Sequence, residues 1–94
     1  IGLKSYKANF NDADLSGAQM EDALLIEASV IDTNLIHTDL NGSDLTGSNF
    51  TDSIFDRVDF TGANFTKTIL DNVRSIKSNY SNVKQVKHIK SLLE

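Results

Sequence analysis

Residues 33–65 read TNLIHTDLNGSDLTGSNFTDSIFDRVDFTGANF. Every fifth residue from Leu35 is large and apolar: Leu35, Leu40, Leu45, Phe50, Phe55, Phe60 and Phe65. Two places before each stands a small or β-branched residue: Thr33, Thr38, Ser43, Ser48, Ser53, Val58 and Ala63. The lattice extends both ways. Upstream, Phe10, Leu15, Met20, Leu25 and Val30 continue the large phase, and Ala8, Ala13, Ala18, Ala23 and Ala28 the small one. Downstream the large phase reaches Leu70, and the small phase runs through Thr68, Val73 and Ser78 to Val83. Gly17, Gly42, Gly47 and Gly62 share a third phase, two places after the large residue.

A period of five excludes the ordinary elements. In an α-helix five residues rotate the side chain by roughly 140°, so these positions would wrap around the axis. In a straight strand an odd period changes face at each repeat. One buried stripe results only if the chain bends once per repeat. Each short extended segment then turns its small and its large residue inward. Glycine at the third phase suits a bend with positive φ. Stacked coils would pair backbone to backbone about 4.8 Å apart.

The triplets Ala8-Asn9-Phe10, Ala13-Asp14-Leu15 and Ala63-Asn64-Phe65 resemble the Ala-(Asp/Asn)-(Leu/Phe) core of the pentapeptide-repeat family. Ser43-Asp44-Leu45, Ser48-Asn49-Phe50, Thr38-Asp39-Leu40 and Thr33-Asn34-Leu35 are close variants. The resemblance covers residues 8 to about 82. It implies an all-β fold, a right-handed quadrilateral parallel β-helix of nearly four coils, with four repeats to a coil. Ala23-Leu24-Leu25, Ser53-Ile54-Phe55 and Thr68-Ile69-Leu70 depart from the pattern, with an apolar residue at the central position. After Leu70 the large phase holds Ser75 and then Tyr80, which predicts loss of register near the end of the solenoid.

A solenoid needs covers at both ends, because each end exposes core and unpaired strand edge. Residues 1–7 read as a lead-in, with Ile1, Leu3 and Tyr6 placed to cover the first coil. Residues 8–82 read as the β-helix and residues 83–94 as a C-terminal capping α-helix. In that segment Val83, Val86, Ile89 and Leu93 share one helical face, Lys84, Lys87 and Lys90 lie elsewhere, and Asn82 with Gln85 resembles a capping box. The chain starts at Ile1 rather than Met, which suggests a fragment or a processed form.

With twenty residues to a coil, outward positions form columns. Asp12, Asp32 and Asp52, followed by Asn72, make an acidic corner ladder. Gly17, His37, Arg57 and Lys77 make the next corner, which turns basic. Clustered carboxylates are what a hard cation wants, but no calcium-loop spacing is present, so no metal site is expected. Ile36, Ile54 and Ile76 fall outward on the face whose core is Leu15, Leu35, Phe55 and Ser75, and Ile31 and Ile69 fall outward on the face before it. The face carrying Gln19, Glu21, Asp39, Asn41, Asp59, Thr61, Asn79 and Ser81 is wholly polar. Isoleucine favours extended backbone wherever it stands. Its grouping beside a polar face nevertheless marks a candidate protein-binding surface.

The remaining composition narrows the function. Ninety-four residues make one domain at most. There is no Cys, hence no disulfide or thiolate metal site, and no Pro to interrupt backbone pairing. The longest apolar run is Leu24-Leu25-Ile26, far short of a membrane span. With no secretory signal in view the expected location is the cytoplasm. The net charge of −4 is unevenly spread: residues 8–56 hold ten acidic side chains and no Lys or Arg, and residues 57–94 hold seven Lys/Arg against Asp59, Asp71 and Glu94. An acidic body disfavours direct nucleic-acid binding. His37 and His88 are far apart in sequence and read as surface residues. Four Asn-x-Ser/Thr triplets, at Asn41, Asn49, Asn64 and Asn79, are generated by the repeat itself. No catalytic constellation, cofactor motif or phosphate loop is visible.

The expected function is therefore a non-catalytic protein-interaction module, monomeric or homodimeric, without cofactor, metal or membrane attachment. The family resemblance implies an alternative. Some pentapeptide-repeat proteins look like DNA in shape and charge, bind type II topoisomerases and protect against quinolones.

Overall fold

The computed structural model describes residues 6–93. The chain winds into a four-cornered solenoid whose register is twenty residues throughout. Asn9 pairs with Ser29, Asp14 with Asn34, Gln19 with Asp39 and Leu24 with Asp44, all parallel, and the series runs on to Asn64 with Lys84. Two runs are long enough to be strands: β1, Ile54–Asp56, pairs in parallel with β2, Arg74–Ile76, through Ile54–Arg74, Phe55–Ser75 and Asp56–Ile76. Elsewhere a single bridge per side is all that fits between corners.

Each corner is a β-turn with a fixed conformation. Every fifth residue from Lys7 to Asn82 has positive φ, between 51° and 72°. Only four of these sixteen are glycine. The residue before each has negative φ, so the turns are of type II, the form that wants Gly or Asn at its third place. Most close with the usual bond, as from Ala13 N–H to Phe10 C=O (3.0 Å) and from Ala63 N–H to Phe60 C=O (2.8 Å). The Asp or Asn before the large residue adds a second tie. Oδ1 of Asp14, Asn34, Asp44, Asn49, Asp59 and Asn64 accepts the backbone N–H two places on, at 2.9–3.1 Å. This local bond explains the family's central Asp/Asn, and Leu24, Ile54 and Ile69 forgo it.

Met20, Leu25, Val30, Leu35, Leu40, Leu45 and Phe50, Phe55, Phe60 and Phe65 are all buried, with Ala23, Ala28, Val58 and Ala63 packed between them. The four phenylalanines climb one coil edge to face, with centroids 4.8–5.2 Å apart. Phe10 and Leu15 at one end, and Leu70 and Val73 at the other, pack on this core but stay partly exposed.

Three expectations need correction. Register is not lost after Leu70. Ser75 lies opposite Phe55, and the Tyr80 ring stacks on Phe60 at 5.3 Å. The Tyr80 hydroxyl meets Ser75 Oγ at 2.5 Å, so a long side chain at one rung serves the gap left by a short one at the next. Burial pushes the Tyr80 phenol above its ordinary value, against hydrogen bonds with Ser75 and Ser78 that lower it. The capping α-helix over 83–94 does not form. Lys84 still pairs with Asn64, and Val83 packs as the next small rung, so the solenoid consumes the first residues of that segment. The rest of the segment makes tight i to i+3 turns and ends in a 3-10 helix, Lys90–Leu93. Ile89 is fully buried and Leu92 packs on the core, whereas Val86 and Leu93 are exposed. The segment caps with two residues rather than a helical stripe. At the other end Tyr6 is 66% exposed, so it does not cover the first coil, and Ile1 and Leu3 lie outside the described residues.

Candidate functional site

On the β1–β2 face the backbone pairs over three residues, where the other described rungs make single bridges, and a break in the turn pattern accompanies it. Among the described residues three corners, those closing at Thr33, Val58 and Ser78, lack the usual bond, and serine replaces it at the first two. Instead, Thr33 N–H donates to Ser53 Oγ (3.0 Å), which donates to Val30 C=O (2.5 Å). Likewise Val58 N–H donates to Ser78 Oγ (3.0 Å), which donates to Phe55 C=O (3.1 Å). A serine from the next coil is thus inserted into each of these two corners. The opened corner at Val58 leaves Ile54–Asp56 extended for all three residues, so it pairs fully with Arg74–Ile76. These serine staples were invisible in the sequence, because serine at the small phase looks like any other small residue.

On this face the isoleucines do not form an unbroken column. Ile54 stacks between Asn34 and Arg74, while Ile36 and Ile76 flank Asp56 in the parallel column. Ile76 is 37% exposed, whereas Ile36 and Ile54 are half-buried between neighbouring rungs. Ile31 is also half-buried, and Ile69, on the preceding face, is 43% exposed. Leu24, on another face, is as exposed as Ile76.

Two charged columns border the face. Asp12, Asp32 and Asp52 occupy one stacked corner, all exposed and all at positive φ. His37, Arg57 and Lys77 occupy the other, with the same backbone conformation. Arg57 holds Asp56 at 2.8 Å. Among the described residues no group of three or more His, Asp or Glu converges as a metal site would require. The Ser16 hydroxyl and N–H, both bonded to Asp14, lower the pKa of that exposed carboxylate.

His88 is not a free surface imidazole, for its Nε2 contacts Thr68 C=O. It lines an open cleft of about 320 Å³ with Thr68, Ile69, Leu70, Asp71 and Ser91, where the C-terminal segment meets the last coil. Sequence reasoning missed this cleft, since the tight turns that replace the expected helix bring Ser91 beside Ile69. In the sequon-like triplets, the side chains of Asn49, Asn64 and Asn79 are engaged as turn acceptors.

A square solenoid with a twenty-residue coil, inward small and large residues, and outward Asp/Asn tying most of its corners defines a class. The pentapeptide-repeat model matches residues 6–42 and 33–72 in eight copies, and the chain belongs to that family. No curated protein matches it in sequence. Among solved structures it is similar to a trypsin-treated form of QnrB1, a plasmid-mediated fluoroquinolone resistance protein. The TM-score is 0.77 at 22% identity, covering 96% of this chain and 45% of that one. It is also similar to a pentapeptide repeat protein of the Arabidopsis thaliana thylakoid lumen, with TM-score 0.63 at 23% identity, covering 88% of this chain and 65% of that one. At these identities the likeness is one of fold. The chain spans less than two thirds of either protein.

Proposed function

We propose that this chain is a non-catalytic protein-interaction module, a right-handed β-helix of nearly four coils that presents the β1–β2 face to a protein partner. In this reading residues 1–7 lead in, 8–82 form the solenoid and 83–94 close it. The carrying observation is the pairing of β1 with β2: a three-residue strand pair bearing Ile54 and Ile76, with Ile36 on the rung below, one corner away from a wholly polar face. Ile31 and Ile69 extend the apolar surface round the corner, and the Asp12, Asp32 and Asp52 column fixes the partner's orientation by charge. Among the described residues no helix is long and apolar enough to cross a membrane, and the location proposed for the partner's encounter is the cytoplasm.

The alternative, mimicry of DNA against a type II topoisomerase, draws on the likeness to QnrB1 and on the acidic residues 8–56. Charge density weighs against it. Duplex DNA carries one charge per about 1.7 Å, or about 16 over a length of 28 Å, and this chain has a net charge of −4.

The test is capture from a lysate of the source cells on immobilised chain, with bound proteins identified by mass spectrometry. The double variant I36D/I54D should keep its thermal unfolding and lose the specific partner. Unchanged capture by a folded variant would remove this face from the proposal.

A further inference from the structure

We infer that the partner segment docking on the β1–β2 face is acidic and interspersed with apolar side chains. The inference rests on the interaction-module reading and adds the chemistry of the partner. The isoleucines are set among cations. Arg74 shares β2 with Ile76, Lys77 occupies the corner after it, and Arg57 stands one coil below Lys77. All three are exposed. The strand pair itself carries one carboxylate, Asp56, and Arg57 already holds it. Arg74 and Lys77 have no ion pair among the described residues. An apolar centre beside two uncommitted cations is complementary to a segment that alternates carboxylates with branched or aromatic side chains.

The same geometry argues against a polyphosphate partner. A phosphate backbone would use the cations but leave the isoleucines without a role. The face is also bounded on its other edge by Asp32 and Asp52, which a duplex wide enough to reach Arg74 and Lys77 would have to cover. Arg74, Ile76 and Lys77 lie on the last rung of the face, where the corner column holds Asn72 rather than Asp, so an extended peptide one strand wide, about 4.8 Å, can run along that rung without covering Asp32 or Asp52.

The experiment selects phage-displayed random peptides on the immobilised full chain, then measures binding of the selected peptides by fluorescence anisotropy. Peptides enriched in Asp/Glu together with Leu, Ile, Val or Phe are expected. Their affinity should fall about tenfold or more in R74E/K77E, fall less in R74Q/K77Q, and weaken as salt is raised. Both variants alter exposed residues, and unchanged circular dichroism checks their fold. Apolar peptides without acid enrichment that I36D/I54D abolishes would overturn the acidic inference and leave the interaction face standing. Selection of no peptide sensitive to I36D/I54D would overturn both. Binding of a labelled DNA duplex that R74E/K77E abolishes would overturn the inference in favour of a phosphate ligand.

Discussion

Ser43 and Ser53 occupy the same phase of the repeat, are equally buried at 1% exposure, and should respond oppositely to the same substitution. Ser53 Oγ is the sole closure of an opened corner, accepting from Thr33 N–H and donating to Val30 C=O. Replacing Ser53 by Ala removes both bonds and strands a buried donor and a buried acceptor. Each such group costs about 1–3 kcal/mol when left without a partner. Allowing for partial relaxation toward an ordinary turn bond between Thr33 and Val30, the expected loss is about 2–3 kcal/mol. Ser43 Oγ, by contrast, is buried with no partner, lying between Ala23 and Ala63 in its column. Removing it relieves a desolvated hydroxyl, so S43A should be neutral or more stable by up to about 1 kcal/mol. For a domain this size a loss of about 2–3 kcal/mol lowers Tm by about 10–20 °C. Urea unfolding followed by far-UV circular dichroism gives the comparison directly, provided the slope m is unchanged between variants. Equal losses in S43A and S53A would refute the reasoning, because the Ser43 hydroxyl would then have a partner as valuable as the Ser53 staple.

Corner glycines can be told apart. Gly42 has φ +72° and a Cβ there would run into the Asp22 carboxylate, whereas a Cβ at Gly62, φ +70°, meets nothing within 4 Å. G62A should cost about 1 kcal/mol for the left-handed backbone alone, and G42A more, with D22A returning the excess. Equal denaturation midpoints for G42A and G62A would contradict this. F60A removes a ring that contacts Phe55, Phe65 and Tyr80 at 4.8, 5.0 and 5.3 Å, and should destabilise by about 3–5 kcal/mol in the same assay. Because burial raises the Tyr80 pKa, the fold favours the neutral phenol. That contribution is complete below the unfolded value of about 10 and is lost as pH rises through the higher folded value, so wild type should lose more stability than Y80F in strong alkali. Parallel stability–pH curves for the two would refute it.

The core was legible because it is the periodic part. Spacing alone placed Leu35 through Phe65 inside, and their burial follows the lattice without exception. Where the reading failed, two periods competed. Val83, Val86, Ile89 and Leu93 satisfy a helical stripe, but Val83 also satisfies the five-residue lattice, and the pairing already established through Asn64 extends it to Lys84. Ser75 and Tyr80 suggested lost register because each was judged alone, whereas the two compensate each other across a corner. The candidate surface was legible in identity but not in exposure. Ile31, Ile36 and Ile54 are partly covered by rungs on both sides, while Ile69 and Ile76 stand on the last rung of their faces and remain open. The serine staples at the corners of the β1–β2 face leave no trace in spacing.

The corners connect this stability argument to function. Twelve non-glycine residues hold positive φ between Lys7 and Asn82, at a cost of order 1 kcal/mol each, which together is comparable to the whole stability of a typical domain. Such strain persists only where the surroundings over-determine it. At most corners the strained residue donates its N–H to the next coil, as Asp12 does to Ile31 C=O (3.0 Å) and His37 to Asp56 C=O (2.8 Å), while the turn bond or a serine staple closes the corner behind it. In return, a corner side chain points away from the body and can be any polar residue without disturbing the core. Charge can therefore vary from column to column while the packing stays the same. The β1–β2 face lies between a column of aspartates and a column that turns basic, with apolar side chains between them. A partner that matched only the isoleucines could dock in either sense, and the opposed columns give it one.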